Sequence, residues 1–235
     1  RSKDKHPTWR KLWDWMIFAG SFVPALLWGV AFSNLIGGVP IDADMQYVGG
    51  FFDLLRPYAL AGGLASLTAF TLHGAIFLSL KTKGELAQRA QKAAARLWVP
   101  AVVAGALFVV AGFIATDMYS RVGFVLALLP LGAAAALLAS GWLVRQGRHG
   151  WGFAMTSLTI TLSVATVAIG LYPRLMVSNL NPEWSLTIYN ASSSPYTLTV
   201  MTIVALVFVP IVLLYQGWSY WIFRKRIGRE DSLEY

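Results

Sequence analysis

Six stretches of this chain are continuously apolar, at 13–34, 57–80, 97–116, 122–144, 151–171 and 198–223. Each is close to the length of about 20 residues that carries a helix across roughly 30 Å of hydrocarbon. Polar and charged residues gather between these stretches, so the pattern predicts six membrane-spanning helices, spans one to six. The fold class that follows is all-α: a polytopic integral membrane protein built as a helix bundle.

Composition agrees. Of 235 residues, 57% are hydrophobic and 13% charged, with a mean hydropathy of +0.58, whereas a soluble domain carries about 25% charged residues. Ten Trp, nine Tyr and 13 Phe suit a protein that needs amphipathic rings at two membrane interfaces. The absence of Cys excludes disulfides, thiolate metal sites, iron–sulfur clusters and covalent c-type haem attachment. Any metal would have to be held by His, Met or carboxylate.

Charge orients the spans. Arg1, Lys3, Lys5, Arg10 and Lys11 precede span one; Lys81, Lys83, Arg89, Lys92 and Arg96 follow span two. Arg145 and Arg148 follow span four, and Arg224, Lys225, Arg226 and Arg229 follow span six. Of the 19 Lys and Arg, only Arg56, Arg121 and Arg174 lie on the opposite side. The positive-inside rule therefore places both ends of the chain in the cytoplasm. The net charge of +8 and pI near 9.9 are accounted for by loops beside an anionic leaflet, and no nucleic-acid partner is expected. The chain opens on Arg1 with no Met and no signal peptide, so an upstream segment is expected. The division that results is a cytoplasmic loop at 1–12, a membrane domain at 13–223 and a cytoplasmic tail at 224–235.

The inner connection at 81–96 favours helix and is expected to extend span two as a surface helix. Span four carries Gly132, Ala136 and Ser140, a small residue at every fourth position, which reads first as a packing face. Pro24, Pro130 and Pro210 fall inside spans one, four and six and can kink them. The outer loop at 172–197 keeps Trp, Leu, Ile and Tyr to bury, and is expected to form an ordered cap.

Ionisable groups inside spans are functional suspects by default. His73, in span two, would need a facing partner to ligate a haem or metal, and the spans hold no second His. A His satisfied by a neighbouring hydroxyl or carbonyl is the favoured reading. Asp14, between Trp13 and Trp15 at the inner edge of span one, has two readings: a proton-passing carboxylate, or an acid favoured by a helix N-terminus. Trp9, Trp13 and Trp15 read first as an interfacial belt and second as a quinone or lipid contact. Asp117 and Arg121 stand at helical spacing around a short outer turn and are expected to pair. Asn190-Ala191-Ser192 matches a glycosylation pattern of low specificity. The spans contain no paired carboxylates, nucleophile–base pair or phosphate loop, so the chain carries no evident catalytic constellation.

These features are compatible with a transporter, a channel subunit or a respiratory subunit. Several sequence blocks go further. Arg1-Ser2-Lys3, Trp9-Arg10, Trp13-Asp14-Trp15 and GSFVPALLWGVAFSNLIGGVP from Gly20 to Pro40 resemble subunit II of the cytochrome bd quinol oxidases. GGFFDLLRPYALAGGLASL from Gly49, LHGAIFLSLKTKGEL from Leu72, SLTIYNASSSPYTLTVMT from Ser185 and VPIVLLYQGWSYWIFRKRI from Val209 follow in the expected order. The resemblance implies a nine-helix subunit of which this chain is the last six helices. It also implies a larger partner, subunit I, that carries the b- and d-type haems and the quinol-oxidising loop, and in some oxidases a small accessory subunit. Quinol and O2 would be substrates of the complex in a bacterial or archaeal cell membrane. This chain would stabilise subunit I, contribute to a cytoplasmic proton route and, in some relatives, hold a quinone or lipid, with no haem of its own. Lys3 is the residue carried over from the family's proton route; Asp14 is a separate candidate for the same role. A secondary transporter, the alternative, would show discontinuous helices, polar groups converging at mid-membrane and an inverted repeat, none of which the sequence displays. The other alternative is a non-catalytic membrane scaffold.

Overall fold

A computed structural model describes residues 6–228, with side chains except at 122 and 124–126. Its helices are α1 (Pro7–Gly37), α2 (Pro57–Lys81), α3 (Gly84–Ala115), the short α4 (Met118–Val122), α5 (Phe124–Arg145), α6 (His149–Leu171) and α7 (Pro195–Ile222). All but α4 are long and apolar enough to cross a membrane, so the six expected spans are present. Pro7, Pro57 and Pro195 sit in the first turns of α1, α2 and α7, where a missing N–H costs nothing.

Helices α2, α3, α5 and α6 close a four-helix bundle: α2 packs on α3, α3 on α5, α5 on α6 and α6 on α2. Leu72, Ile76, Ala94, Ala101 and Val144 form its buried centre, flanked by Trp98 and Phe153. Helix α1 lies against α2, while α7 buries none of its residues.

Lipid tails are as apolar as Leu, so helices in a bilayer associate through close packing and interhelical hydrogen bonds. A Cβ added to Gly29 would stand 2.1 Å from the Gly62 carbonyl oxygen, and one on Gly63 would stand 2.8 Å from Val30. The Ser66 hydroxyl donates to the Ala25 carbonyl across this crossing at 2.6 Å. Between α3 and α5, the Trp98 indole donates to the Leu137 carbonyl at 2.9 Å and covers Gly141. On α5, Ala133, Ala136 and Ser140 are buried and Gly132 faces Leu162 of α6, which bears out the packing face expected for span four.

Two boundaries differ from the sequence reading. The segment at 81–96 is helical from residue 84, but it opens α3 instead of extending α2. Thr82 and Lys83 are extended, and Gly84 then turns the chain at φ +63, a conformation that favours glycine. The loop read at 1–12 is helical from residue 7, because Pro7 initiates α1 well before the apolar run begins. Pro100 joins Pro24, Pro130 and Pro210 as a proline inside a helix; only the longer α3 makes it internal.

The loop at 172–197 forms an ordered cap, as expected, and packs on the connection between α1 and α2. Strand β1 (Arg174–Met176) pairs antiparallel with β2 (Leu186–Thr187). Val39 donates to Val177 at 2.9 Å, and Asn179 to Val39 at 3.1 Å. The Ser178 hydroxyl donates to the Ile41 carbonyl at 2.7 Å, and Asn34 Nδ2 to that of Leu54 at 2.8 Å.

Candidate functional site

His73 sits on α2 where it meets α6. Its Nδ1 lies 2.8 Å from the Thr156 hydroxyl oxygen, and its ring stacks on Phe153 at 4.4 Å. The same hydroxyl is 3.0 Å from the Phe153 carbonyl. The hydroxyl thus joins His73 Nδ1 to the Phe153 carbonyl. One nitrogen and one face of the imidazole are thus committed to packing, the hydroxyl-satisfied arrangement favoured from the sequence. Among the described residues, no three His, Asp or Glu gather as a metal-binding group.

Asp117 requires a correction. Its carboxylate accepts a two-pronged contact from Arg174, Nη2 to Oδ1 at 2.6 Å and Nη1 to Oδ2 at 3.0 Å. Arg121 was the expected partner, yet it reaches Asp117 through its backbone, donating N–H to the Asp117 carbonyl at 3.1 Å. The carboxylate precedes α4, outside its ladder, and the planar guanidinium from the cap matches both oxygens at once. The Arg174 contact holds the Asp117 carboxyl below the usual carboxylate range, against the opposing pull of partial burial, with Arg121 adding to the positive field. The cap is thereby clamped to the α3–α4 corner.

Asp14 is exposed on α1, eighth from the helix start at Pro7. That position corrects the N-terminal reading, since the macrodipole fades within the first turn. Trp13 beside it packs edge-on against Trp9 at 5.5 Å, and Trp15 against Phe18 at 5.6 Å. Lys3 lies outside the described residues. Asn190 spends its side-chain amide on the cap turn, accepting from Thr187 N–H at 2.6 Å and donating to the Ser185 carbonyl at 3.2 Å.

The α2–α3 corner and the segment after α7 meet at one end. Ile227 donates to the Lys81 carbonyl at 2.8 Å, Lys83 donates to Ile227 at 3.0 Å, and Lys81 Nζ donates to the Phe223 carbonyl at 2.8 Å. The corner between α2 and α3 is thus tied to the segment after α7. The sequence reading assigned these cations to one side but missed this junction, as it missed Thr156 and Arg174. Each acts through a partner far along the chain, and no local pattern marks it.

A four-helix bundle with flanking apolar helices, six of them long enough to span a bilayer, and an ordered cap at one end define a helical multi-pass membrane protein. Comparison with known proteins adds the family. The model for cytochrome bd terminal oxidase subunit II matches residues 1–223, and the chain belongs to that family. It is 37% identical over 235 residues to the cytochrome bd ubiquinol oxidase subunit 2 of Bacillus subtilis, covering 100% of this chain and 70% of that one. It is also 37% identical over 269 aligned residues to the cytochrome bd-I ubiquinol oxidase subunit 2 of Escherichia coli, covering 98% and 70%. A chain of the Geobacillus thermodenitrificans bd oxidase structure shares the fold, with a TM-score of 0.63 and 20% identity, covering 87% of this chain and 62% of that one.

Proposed function

We propose that this chain serves as subunit II of a quinol:oxygen oxidoreductase of the aerobic respiratory chain. The match to the subunit II family along residues 1–223 carries the reading. In it, the chain packs beside a haem-bearing subunit I, with room in the complex for a small accessory subunit, and stabilises the cofactor-bearing partner. The b- and d-type haems belong to that partner and supply the electron transfer. Quinol releases protons at the outer face as it is oxidised, and reduction of O2 to water takes protons from the cytoplasm. That sidedness separates charge and generates a proton motive force. The exposed apolar flanks of α1 and α7 support a role in assembly.

Within this reading, 13–223 is the membrane domain, and 1–12 and 224–235 face the cytoplasm. Lys3 guides protons at the inner mouth, and Asp14, level with the interfacial tryptophans, passes them along the edge of α1. Asp14→Asn and Lys3→Gln variants are expected to slow oxidase turnover and proton uptake while leaving haem content unchanged; unaltered turnover in either removes that residue from the route.

The test of the whole reading is to tag the full-length protein, solubilise membranes gently, and record a reduced-minus-oxidised spectrum with the masses of what co-purifies. Bands of b- and d-type haem with a larger multi-span partner are expected. A haem-free protein that purifies alone would overturn the reading and favour a transporter, to be pursued by substrate uptake.

A further inference from the structure

Helix α7 is tied to the bundle near its charged end but stands apart along its length. Its ring contact to α2 is Tyr220 edge-on to Phe77 at 6.4 Å. Below that contact, Lys83, Lys225, Arg226 and Ile227 line an open depression of about 510 Å³. Two neighbouring cations are already engaged: Lys81 donates to Phe223, and Arg224 lies 4.5 Å from the centre of the Trp221 ring. Lys83, Lys225 and Arg226 have no carboxylate partner among the described residues. Trp218, Tyr220 and Trp221 are exposed just above them, and Leu213, Leu214 and Val209 beyond. Exposed aromatic rings mark the interfacial depth of a bilayer, so the three cations stand at headgroup level and the aliphatic residues at acyl-chain level.

We propose that this groove binds one anionic phospholipid. Its headgroup phosphate is held by Lys83, Lys225 and Arg226, and its acyl chains lie along α7 beside Phe77. Charge complementarity selects the occupant: a zwitterionic lipid brings its own cation to a cluster that already carries three, whereas a phosphoglycerol headgroup brings only negative charge. The inference rests on the membrane placement of the chain and not on its oxidase role, so the two can fail separately.

The test uses the complete complex containing the full-length protein. Equilibrated with mixed phosphatidylglycerol and phosphatidylcholine and then stripped in mild detergent, it is expected to retain one additional phosphatidylglycerol by native mass spectrometry. A Lys83→Gln/Lys225→Gln/Arg226→Gln variant should lose that retention by at least about tenfold, with the unfolding temperature in detergent unchanged. Lys225→Gln alone should give a partial loss, which guards against a misfolded triple variant. Arg89→Gln/Lys92→Gln, which removes exposed cations elsewhere on α3, should retain the lipid. No preference for phosphatidylglycerol, retention by the triple variant, or equal loss in the α3 control would overturn the proposal. Displacement by millimolar glycerol phosphate would overturn it in favour of a free-anion site, and cross-links from Lys83 or Lys225 to another polypeptide in favour of a protein contact.

Discussion

Thr156 and Asp117 each hold a long-range contact together, and each makes a different prediction. Thr156 is 3% exposed and its hydroxyl lies 2.8 Å from Nδ1 of His73. Thr156→Val leaves Nδ1 facing a methyl group, and the expected cost is about 1–3 kcal/mol, read as a lower unfolding temperature of the purified complex. His73→Phe keeps the stack on Phe153 and should leave haem content at the wild-type level. Haem loss in a variant that still assembles would restore His73 as a ligand. Asp117 acts through charge. Its folded-state pKa lies below the unfolded value, so the contribution of its pair with Arg174 is complete above the unfolded pKa, about 4, and is lost as pH falls through the lower folded pKa. Unfolding temperature should therefore fall more steeply below about pH 4 in the parent than in Asp117→Asn. With the Asp117 side chain 48% exposed, solvent screening limits the difference at neutral pH to about 1 kcal/mol.

Between elements, backbone approach decides. At the α1–α2 crossing, Gly29 faces a backbone carbonyl that cannot rotate away, so Gly29→Ala must push the helices apart. Overpacking of this kind costs about 1–3 kcal/mol, and a thermal-stability assay of the complex should register it. Gly217 on α7 has no heavy atom within 4 Å of an added Cβ. Gly217→Ala should be neutral or stabilising by up to about 1 kcal/mol through helix propensity alone. Equal losses in both variants would mean that α7 is as tightly packed as α1. The spacing of Gly29 and Ser33 on α1, and of Gly62 and Ser66 on α2, is the same signal that marked Gly132, Ala136 and Ser140 on span four. It was legible in the sequence, but spacing alone does not name the partner helix. The helical segment at 84–96 was equally legible; its attachment to α3 was not, because the break depends on the extended Thr82 and Lys83 being held against Ile227.

At the scale of the whole molecule, the antiparallel course of the spans brings the α2–α3 corner, the α5–α6 turn and the end of α7 to one end, and the cap with Arg56, Arg121 and Arg174 to the other. A fluorescent protein fused after the C-terminus should therefore fold and fluoresce, while an alkaline phosphatase fusion at the same point should be inactive. The reverse pattern would invert the proposed sidedness of proton uptake. Helix number, bundle class and charge asymmetry follow from the sequence alone, because each depends on runs of about 20 residues or on which connection a charge occupies. The resemblance carried by dispersed blocks likewise needed no coordinates. Tertiary structure decided the rest: that four of the helices close a bundle while α7 stays outside it, that Asp117 answers to Arg174 and not Arg121, and that His73 is held by Thr156. Each of these depends on distance between residues far apart in the chain. In lipid, such pairings are chosen by close fit and hydrogen bonding, since burial of apolar surface favours no neighbour over another.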